Sequence, residues 1–299
     1  PRDLVVPDYA ELVPADDIVI PAKPLWQENA VAAPRTQGKG APGQGKIVII
    51  IDDMGMDRKH TKEAMTLPAP VTFAWLPYAP HIQPLVDQAK ASGHESIVHV
   101  PMEPERTSID AGPTVLKTSM SGDELKAMLD KNLSAFTGYV GFNNHMGSKM
   151  TQDHDGMQRV MAEAARRGLL FVDSRTAPDS IAGQTAAAMG VAHASRDVFL
   201  DHYEDLNSVR AALQKMEDIA RRQGVAIGIG HPKANTLAGL REWIPTLSAK
   251  GFEVVPVSAV VRTVETAAGA AEKPIKAARV YRADQISSPF IVGPLKPAE

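Results

Sequence analysis

The sequence predicts an α/β fold, a distorted or incomplete β/α barrel with mostly parallel strands. Residues 47–51 are all β-branched and apolar, as in a parallel strand that is buried on both faces. After them, short apolar runs alternate with amphipathic stretches about seven times, which is the rhythm of β/α units. Polar residues follow several of the runs. They favour a barrel, because barrels gather their chemistry at the carboxyl ends of the strands.

The predicted elements follow one another regularly from residue 46 onward. The strands are residues 47–51, 71–76, 96–100, 139–144, 169–173, 192–194 with 198–200, 225–230 and 252–257. Helical spacing of apolar residues predicts helices over 57–65, 81–92, 121–133, 156–167, 181–189, 207–223 and 234–249. Gly93 and Gly224 lie where helices should stop, and Pro77 ends the second strand.

The flanking segments differ in composition from the barrel, which we assign to residues 46–264. Residues 1–45 are rich in Pro, Ala and Gly and predict an extended arm or linker. Within the arm, residues 18–20 and 24–26 are apolar enough to dock on a surface. Residues 265–299 form a predicted C-terminal tail. Such arms leave room for homo-oligomers.

The composition excludes several classes of protein. The 299 residues include no Cys, so disulfides, thiolate metal sites and a Cys nucleophile are excluded. A net charge of −3, without clusters of Lys and Arg, argues against a nucleic-acid partner. No apolar run approaches the roughly 18 residues that span a bilayer. The start at Pro1 leaves room for a removed signal or membrane anchor. The lack of Cys suits an oxidising compartment, so we expect a periplasmic or cell-envelope location.

Chemistry-bearing side chains follow the predicted strands. They are Asp52, Asp53, His99, Glu103, Asn143, Asn144, His145, Asp173, Arg175, Asp201, His202 and His231. Each has an ordinary explanation alone, since Asp often caps a helix and a lone His is often hydrogen-bonded in the core. Together they would meet at one barrel mouth, and Asp and His are ligands that divalent ions accept. The pattern therefore predicts a metal site.

Four motifs resemble one known family. They are Ile51-Asp52-Asp53-Met54-Gly55, residues 93–103 with His99 and Glu103, residues 143–148, and Ile227-Gly228-Ile229-Gly230-His231-Pro232. Together they are similar to the polysaccharide deacetylases of the NodB-homology type, above all to their divergent branch. The resemblance covers residues 46–261. It implies an incomplete β/α barrel that binds a divalent metal ion, with zinc as the first choice.

The resemblance also implies roles for individual residues. Asp52 would be the general base, Asp53 a metal ligand and His231 the general acid. The usual second motif has two metal-binding histidines four residues apart. Here His99 matches the first, but Glu103 stands at the second position. Either Glu103 or His145 would then complete the ligand set.

The implied reaction is the removal of N-acetyl groups from a polysaccharide or amino sugar. Asp173 or Arg175 would orient the base or the acid, while Asn143, Asn144 and Arg175 would bind the sugar.

Two rival functions remain open. Glu103 in place of a histidine favours a catalytically impaired carbohydrate-binding or cell-envelope protein that keeps the fold. Lys149, Arg175 and Lys233 are basic residues that a metal phosphoesterase would need, although that function ranks last.

Overall fold

A computed structural model describes residues 23–32 and 45–263, which form one curled nine-stranded parallel sheet with helices packed against it. The strands are β1 (Gly45–Met54), β2 (Thr72–Trp75), β3 (Glu95–Met102), β4 (Gly141–Met146), β5 (Leu170–Asp173), β6 (His193–Ser195), β7 (Val198–Phe199), β8 (Val225–Gly230) and β9 (Phe252–Val254). The helices are α1 (Leu25–Asn29), α2 (Arg58–Ala64), α3 (Gln83–Ala91), α4 (Gly122–Leu133), α5 (His154–Arg167), α6 (Ala182–Ala188), α7 (Leu206–Gln223) and α8 (Ala234–Leu247). Seven of these helices agree with the predicted ones to within two residues at each end.

The two outer strands of the sheet are neighbours in sequence. The order is β6-β5-β4-β3-β2-β1-β8-β7, and β9 pairs with the start of β1. Only Arg196 and Asp197 separate β6 from β7. The three peptide steps across this link reach at most about 11 Å, so the two edges of the sheet must lie close together. The sheet therefore curls into an incomplete barrel, which confirms the predicted fold class.

Strand side chains alternate between two apolar layers. In β1, Ile47, Ile49 and Ile51 belong to the layer shared with the helices, whereas Val48 and Ile50 belong to the barrel interior. The interior layer comprises Val48, Ile50, Ala74, Ile97, Val140, Leu170, Val172, Ala192, Ala194, Ile227, Ile229, Val255 and Val257. Residues that continue an inward row beyond this layer must reach the barrel mouth.

The short helix α1 was not predicted, although its residues were expected to dock on a surface. The Trp26 N–H donates to the Gly168 carbonyl at 2.9 Å, and Asn29 Nδ2 donates to the Tyr139 carbonyl at 2.8 Å. Leu25 packs against the helix-side layer. The rest of the predicted arm, including residues 18–20, and the predicted tail lie outside the described residues. Within the described part of the chain, no helix has the length and apolarity needed to cross a membrane.

Candidate metal centre

Three of the predicted residues reach the barrel mouth by simple alternation. Asp52, His99 and His231 each lie two positions beyond an inward-facing isoleucine, in or directly after β1, β3 and β8. Because side chains two apart in a strand share a face, all three point into the same space above the interior layer. Asp52 and His99 are almost completely buried there.

Asp53 reaches this space because β1 is irregular at its end. In a regular strand Asp52 and Asp53 would point to opposite faces. The pairing of β1 with β2 shifts register between Ile51 and Met54, and Asp53 has a φ of 55°. The irregularity turns both carboxylates toward one ring: His99 Nε2 lies 3.6 Å from Asp52 Oδ2 and 3.3 Å from Asp53 Oδ1. Strained backbone of this kind is common at functional sites.

Asp53 and two imidazoles form a cluster. Asp53 Oδ1 lies 3.0 Å from His145 Nδ1, and that nitrogen lies 3.1 Å from His99 Nε2. Asp53 Oδ1 is buried, yet no described residue donates a hydrogen bond of acceptable geometry to it. The three ligand atoms lie within 4.8 Å of one another. One carboxylate oxygen and two imidazole nitrogens form a donor set that divalent transition metals accept, so these residues fit a cation.

A buried amide fixes the orientation of His99. Asn143 Nδ2 donates to Asp52 Oδ1 at 2.8 Å and to Ser174 Oγ at 3.1 Å, while Asn143 Oδ1 lies 2.7 Å from His99 Nδ1. A carboxylate accepts hydrogen bonds, so the amide nitrogen must face Asp52. The amide oxygen then requires a proton on His99 Nδ1. The neutral ring therefore presents the Nε2 lone pair to the cluster, as metal-binding histidines do.

The charges of the cluster shift the pKa values of its members. Burial raises the pKa of Asp52, against the opposing charges of His99 and His231. Burial acts in the same direction on Asp53, but the adjacent His145 and His99 hold its pKa well below the usual range. Burial disfavours a charged His99, yet Asp52 and Asp53 raise its pKa to about 8. A cation at His99 Nε2 must therefore displace a proton at neutral pH.

His231 is held by Asp201, one of the strand-end residues predicted to meet at the barrel mouth but given no role of its own. Its Nδ1 lies 3.0 Å from Asp201 Oδ1, and its backbone N–H donates to Asp201 Oδ2 at 2.7 Å. The Thr236 hydroxyl donates to the same oxygen at 2.8 Å. Although burial opposes it, Asp201 raises the pKa of His231. The other ring nitrogen, Nε2, lies 3.8 Å from Asp53 Oδ2, so His231 borders the cluster.

Glu103 does not join the cluster. Its Oε2 accepts hydrogen bonds from the Thr118 N–H and hydroxyl, both at 2.8 Å, and its Oε1 pairs with Lys149 Nζ at 2.8 Å. These contacts use both oxygens to anchor the loop after β3. Of the two residues expected to complete the ligand set, the structure brings His145 to Asp53 and leaves Glu103 outside.

Asp173 is also placed differently from the expectation that it orients the base or the acid. Leu170 and Val172 face the barrel interior, so Asp173 faces outward. Its Oδ1 accepts from the Arg175 N–H at 2.8 Å, and its Oδ2 accepts from the Ser180 hydroxyl at 2.9 Å. The expectation is corrected: this carboxylate holds the loop between β5 and α6.

The two asparagines predicted to bind sugar are buried. Asn143 is 0% exposed and Asn144 is 1% exposed. Asn144 faces outward, where its amide binds the Ser174 N–H at 2.9 Å, the Met146 carbonyl at 2.8 Å and the Thr176 hydroxyl at 3.2 Å. Their predicted role is therefore corrected, because both amides hold the protein's own groups.

Arg175 lies at the rim with an exposed side chain. Its φ is 49°, and its backbone is held on both sides, by Asp173 at the N–H and by the Arg196 guanidinium at the carbonyl, 2.9 Å away. Its role as a sugar contact stays a prediction.

Comparison with known proteins places the chain in context. Residues 49–261 match the family described as divergent polysaccharide deacetylase. The chain is 36% identical over 203 residues to Escherichia coli K12 YibQ, a match that covers 68% of this chain and 63% of YibQ. It is 33% identical over 205 residues to a Haemophilus influenzae Rd protein, with 68% and 72% covered. The chain thus spans less than two thirds of the length of YibQ. A crystal structure of Agrobacterium tumefaciens C58 ATU2773 aligns with a TM-score of 0.75 and 26% identity, over 81% of this chain and 97% of that one.

Proposed function

This chain belongs to the divergent polysaccharide deacetylase family, and we propose that it hydrolyses N-acetyl groups on an amino-sugar polymer with a zinc ion held by Asp53, His99 and His145. One observation carries the proposal: the buried Asp53 Oδ1 accepts no hydrogen bond of acceptable geometry from the described residues, although two imidazole nitrogens lie 3.0 and 3.3 Å away. Leaving a buried carboxylate oxygen without a partner is costly, and a cation would be that partner. Three protein ligands with a position left open are typical of catalytic zinc.

Asp52 is suited to act as the general base. A metal ion held by Asp53, His99 and His145 would polarise the acetyl carbonyl and lower the pKa of a water molecule. Asp52 Oδ1 is held by Asn143, and its Oδ2 faces the cluster. Burial raises the pKa of Asp52, which makes it a stronger base. Asp52 takes a proton from the water as the water oxygen bonds to the acetyl carbon.

His231 is suited to act as the general acid. Asp201 binds its Nδ1, so its Nε2 is directed toward the cluster. Although burial opposes it, Asp201 raises the pKa of His231, which favours the protonated ring that a general acid needs. The amide nitrogen takes this proton as the carbon–nitrogen bond breaks. The products are acetate and a free amino sugar.

We further propose that the substrate lies in the cell envelope and that Arg175 contacts it. The family description supports a polysaccharide substrate. The absence of Cys fits the oxidising environment of the envelope. The side chain of Arg175 is exposed and its backbone is held by Asp173 and Arg196, which supports a role as a sugar contact.

The substitution Asp52→Asn tests the catalytic proposal. It removes the base but keeps an oxygen that accepts the hydrogen bond from Asn143. The variant should therefore bind as much zinc as the wild type. Its rate of acetate release from chitin-like or peptidoglycan-like oligomers should fall about 10²- to 10⁴-fold. Metal analysis and an acetate assay measure the two quantities.

Asp218→Asn on α7 is the matched control, because Asp218 is an exposed carboxylate outside the barrel mouth. Unchanged acetate release by Asp52→Asn would contradict the assignment of the base. Zinc binding by the wild type with no acetate release from any oligomer would instead favour the carbohydrate-binding alternative.

A further inference from the structure

The most exposed large apolar side chains of the described residues lie on the side of the barrel mouth. They are Met56, Ile109, Phe199 and Tyr203. Met56 follows β1, Ile109 lies in the loop after β3, and the other two lie at or after the end of β7. A single exposed apolar residue is ordinary. We call these four residues, which all lie at or after the carboxyl ends of strands, the apolar rim.

The aromatic part of this rim is continuous with His231. Ring centroids are 5.5 Å apart for Phe199 and His231, 6.0 Å for Phe199 and His202, and 4.7 Å for His202 and Tyr203. His231 borders the metal cluster, with Nε2 3.8 Å from Asp53 Oδ2. At the other end, the Tyr203 side chain is 66% exposed. The row therefore runs from the proposed proton donor out to solvent.

Contacts hold the inner end of the row, at His231 and Phe199, in place. Asp201, which lies between Phe199 and His202 in sequence, is buried and binds both the ring and the backbone N–H of His231. The Arg196 guanidinium lies 5.2 Å from the centroid of the Phe199 ring. A surface fixed before binding loses less conformational freedom when a ligand arrives.

We propose that Phe199, His202 and Tyr203, whose rings are steeply inclined to one another, form an aromatic shelf in which the exposed Tyr203 ring contacts the face of a pyranose ring next to the acetylated sugar. Aromatic faces carry negative partial charge and attract the positively polarised C–H face of a sugar. The Tyr203 hydroxyl and the His202 ring nitrogens can pair with sugar hydroxyls. The shelf rests on the function proposed above, and it narrows the substrate to a chain of two or more sugars.

Binding measurements on the full chain loaded with zinc test the shelf. The probes are a β-1,4-linked N-acetylglucosamine pentamer, an alternating N-acetylglucosamine and N-acetylmuramic acid tetramer, and the N-acetylglucosamine monomer. We expect the wild type to prefer at least one oligomer over the monomer. Tyr203→Ala should weaken the binding of that oligomer roughly three- to tenfold, which is the range expected when a single aromatic contact is lost. Tyr203→Phe keeps the ring and should restore most of the affinity.

The zinc content and melting temperature of each variant establish that it is folded. Equal affinity of the wild type for the monomer and the oligomers would overturn the shelf. Oligomer affinities that Tyr203→Ala leaves unchanged would also overturn it, whether or not another partner covers this surface. Because the readout is binding, weakened oligomer binding without any acetate release would leave the shelf standing and remove the deacetylase function. Acetate release together with unaltered oligomer binding in Tyr203→Ala would instead remove the shelf and leave the deacetylase function standing.

Discussion

The two ends of strand β3 hold buried ionisable groups under opposite conditions. At its start, Glu95 accepts hydrogen bonds from the Ser258 N–H at 3.1 Å, from the Ser258 hydroxyl and from the Thr72 hydroxyl at 3.4 Å. Four residues later, His99 faces the buried Asp53 Oδ1, which accepts no hydrogen bond of acceptable geometry within the described part of the chain. Both oxygens of Glu95 are satisfied by the protein, whereas the Asp53 oxygen is not.

This difference separates a stabilising end of the barrel from a functional one. Proteins leave few buried polar atoms without partners, so each exception calls for an explanation. Glu95 ties β3 to β2 and to the segment after β9, and its partners are all internal. The donor set of the cluster at the other end fits a cation. Barrels generally place stability at the amino ends of their strands and chemistry at the carboxyl ends.

Among the substitutions that test this contrast between the two ends of the barrel, Asp201→Asn should have the largest effect. The substitution removes the charge that raises the pKa of His231, so that pKa should fall and the ring should hold a proton less readily. We expect kcat to fall about 10²-fold while the zinc content stays unchanged. Glu204→Gln is the matched control, because Glu204 is an exposed neighbouring carboxylate that pairs with Lys233. An unaltered kcat in Asp201→Asn would show that His231 does not depend on this carboxylate.

A smaller effect is expected for Asn143→Ala, which removes the amide that orients His99. Loss of such a supporting hydrogen bond typically weakens metal binding about 10- to 100-fold. Competition with a chelating indicator would measure the zinc affinity. Asn144→Ala is the matched control, because the adjacent amide faces away from the cluster and its loss should affect folding stability rather than zinc affinity. Equal loss of zinc affinity in both variants would contradict the orienting role.

The smallest expected effect is a pH dependence of the folding stability, and it comes from Glu95 at the stabilising end of the barrel. Burial raises the pKa of Glu95 above its ordinary value of 4.5. The folded state therefore keeps a proton that the unfolded chain releases, and stability from Glu95 is full below pH 4.5 and lost as pH rises through the folded pKa. The free energy of unfolding of the wild type minus that of Glu95→Gln should fall as pH rises above 4.5. Urea unfolding at several pH values measures it.

Glu217→Gln should show the opposite slope. Although burial opposes it, Lys250 and Trp243 lower the pKa of Glu217, so its stabilising contribution is lost as pH falls through the folded pKa. The free energy of unfolding of the wild type minus that of each variant should change with pH in opposite directions for Glu95→Gln and Glu217→Gln. A change in the same direction would contradict the contrast between Glu95, whose pKa is raised by burial, and Glu217, whose pKa is lowered by its partners.

Alternation along the strands made much of the site predictable. The apolar runs of β1, β3 and β8 indicate which residues face inward. The same two-residue period places Asp52, His99 and His231 at the barrel mouth. Applied to β5 and β4, it would also have removed Asp173 and Asn144 from the list of candidates, because each follows an outward-facing Phe by two residues.

Other parts of the site depend on long-range geometry that no local pattern encodes. Asp53 joins the cluster through an irregularity at the end of β1 and a positive φ, which alternation alone would not predict. The choice of His145 over Glu103 follows from the pairing of β3 with β4 and from the Lys149 and Thr118 contacts that hold Glu103. The partnership of Asp201 with His231 requires that β7 lie beside β8.

The measurement that tests the metal centre most directly is the zinc stoichiometry of three proteins after equilibrium dialysis: the wild type, His145→Ala and Glu103→Gln. A cluster of Asp53, His99 and His145 predicts one zinc ion per chain in the wild type and in Glu103→Gln, with loss of tight binding in His145→Ala. Cooperative unfolding of each variant would establish that the chain is folded. Retained zinc in His145→Ala, or a wild type that takes up no divalent metal, would contradict the proposed centre.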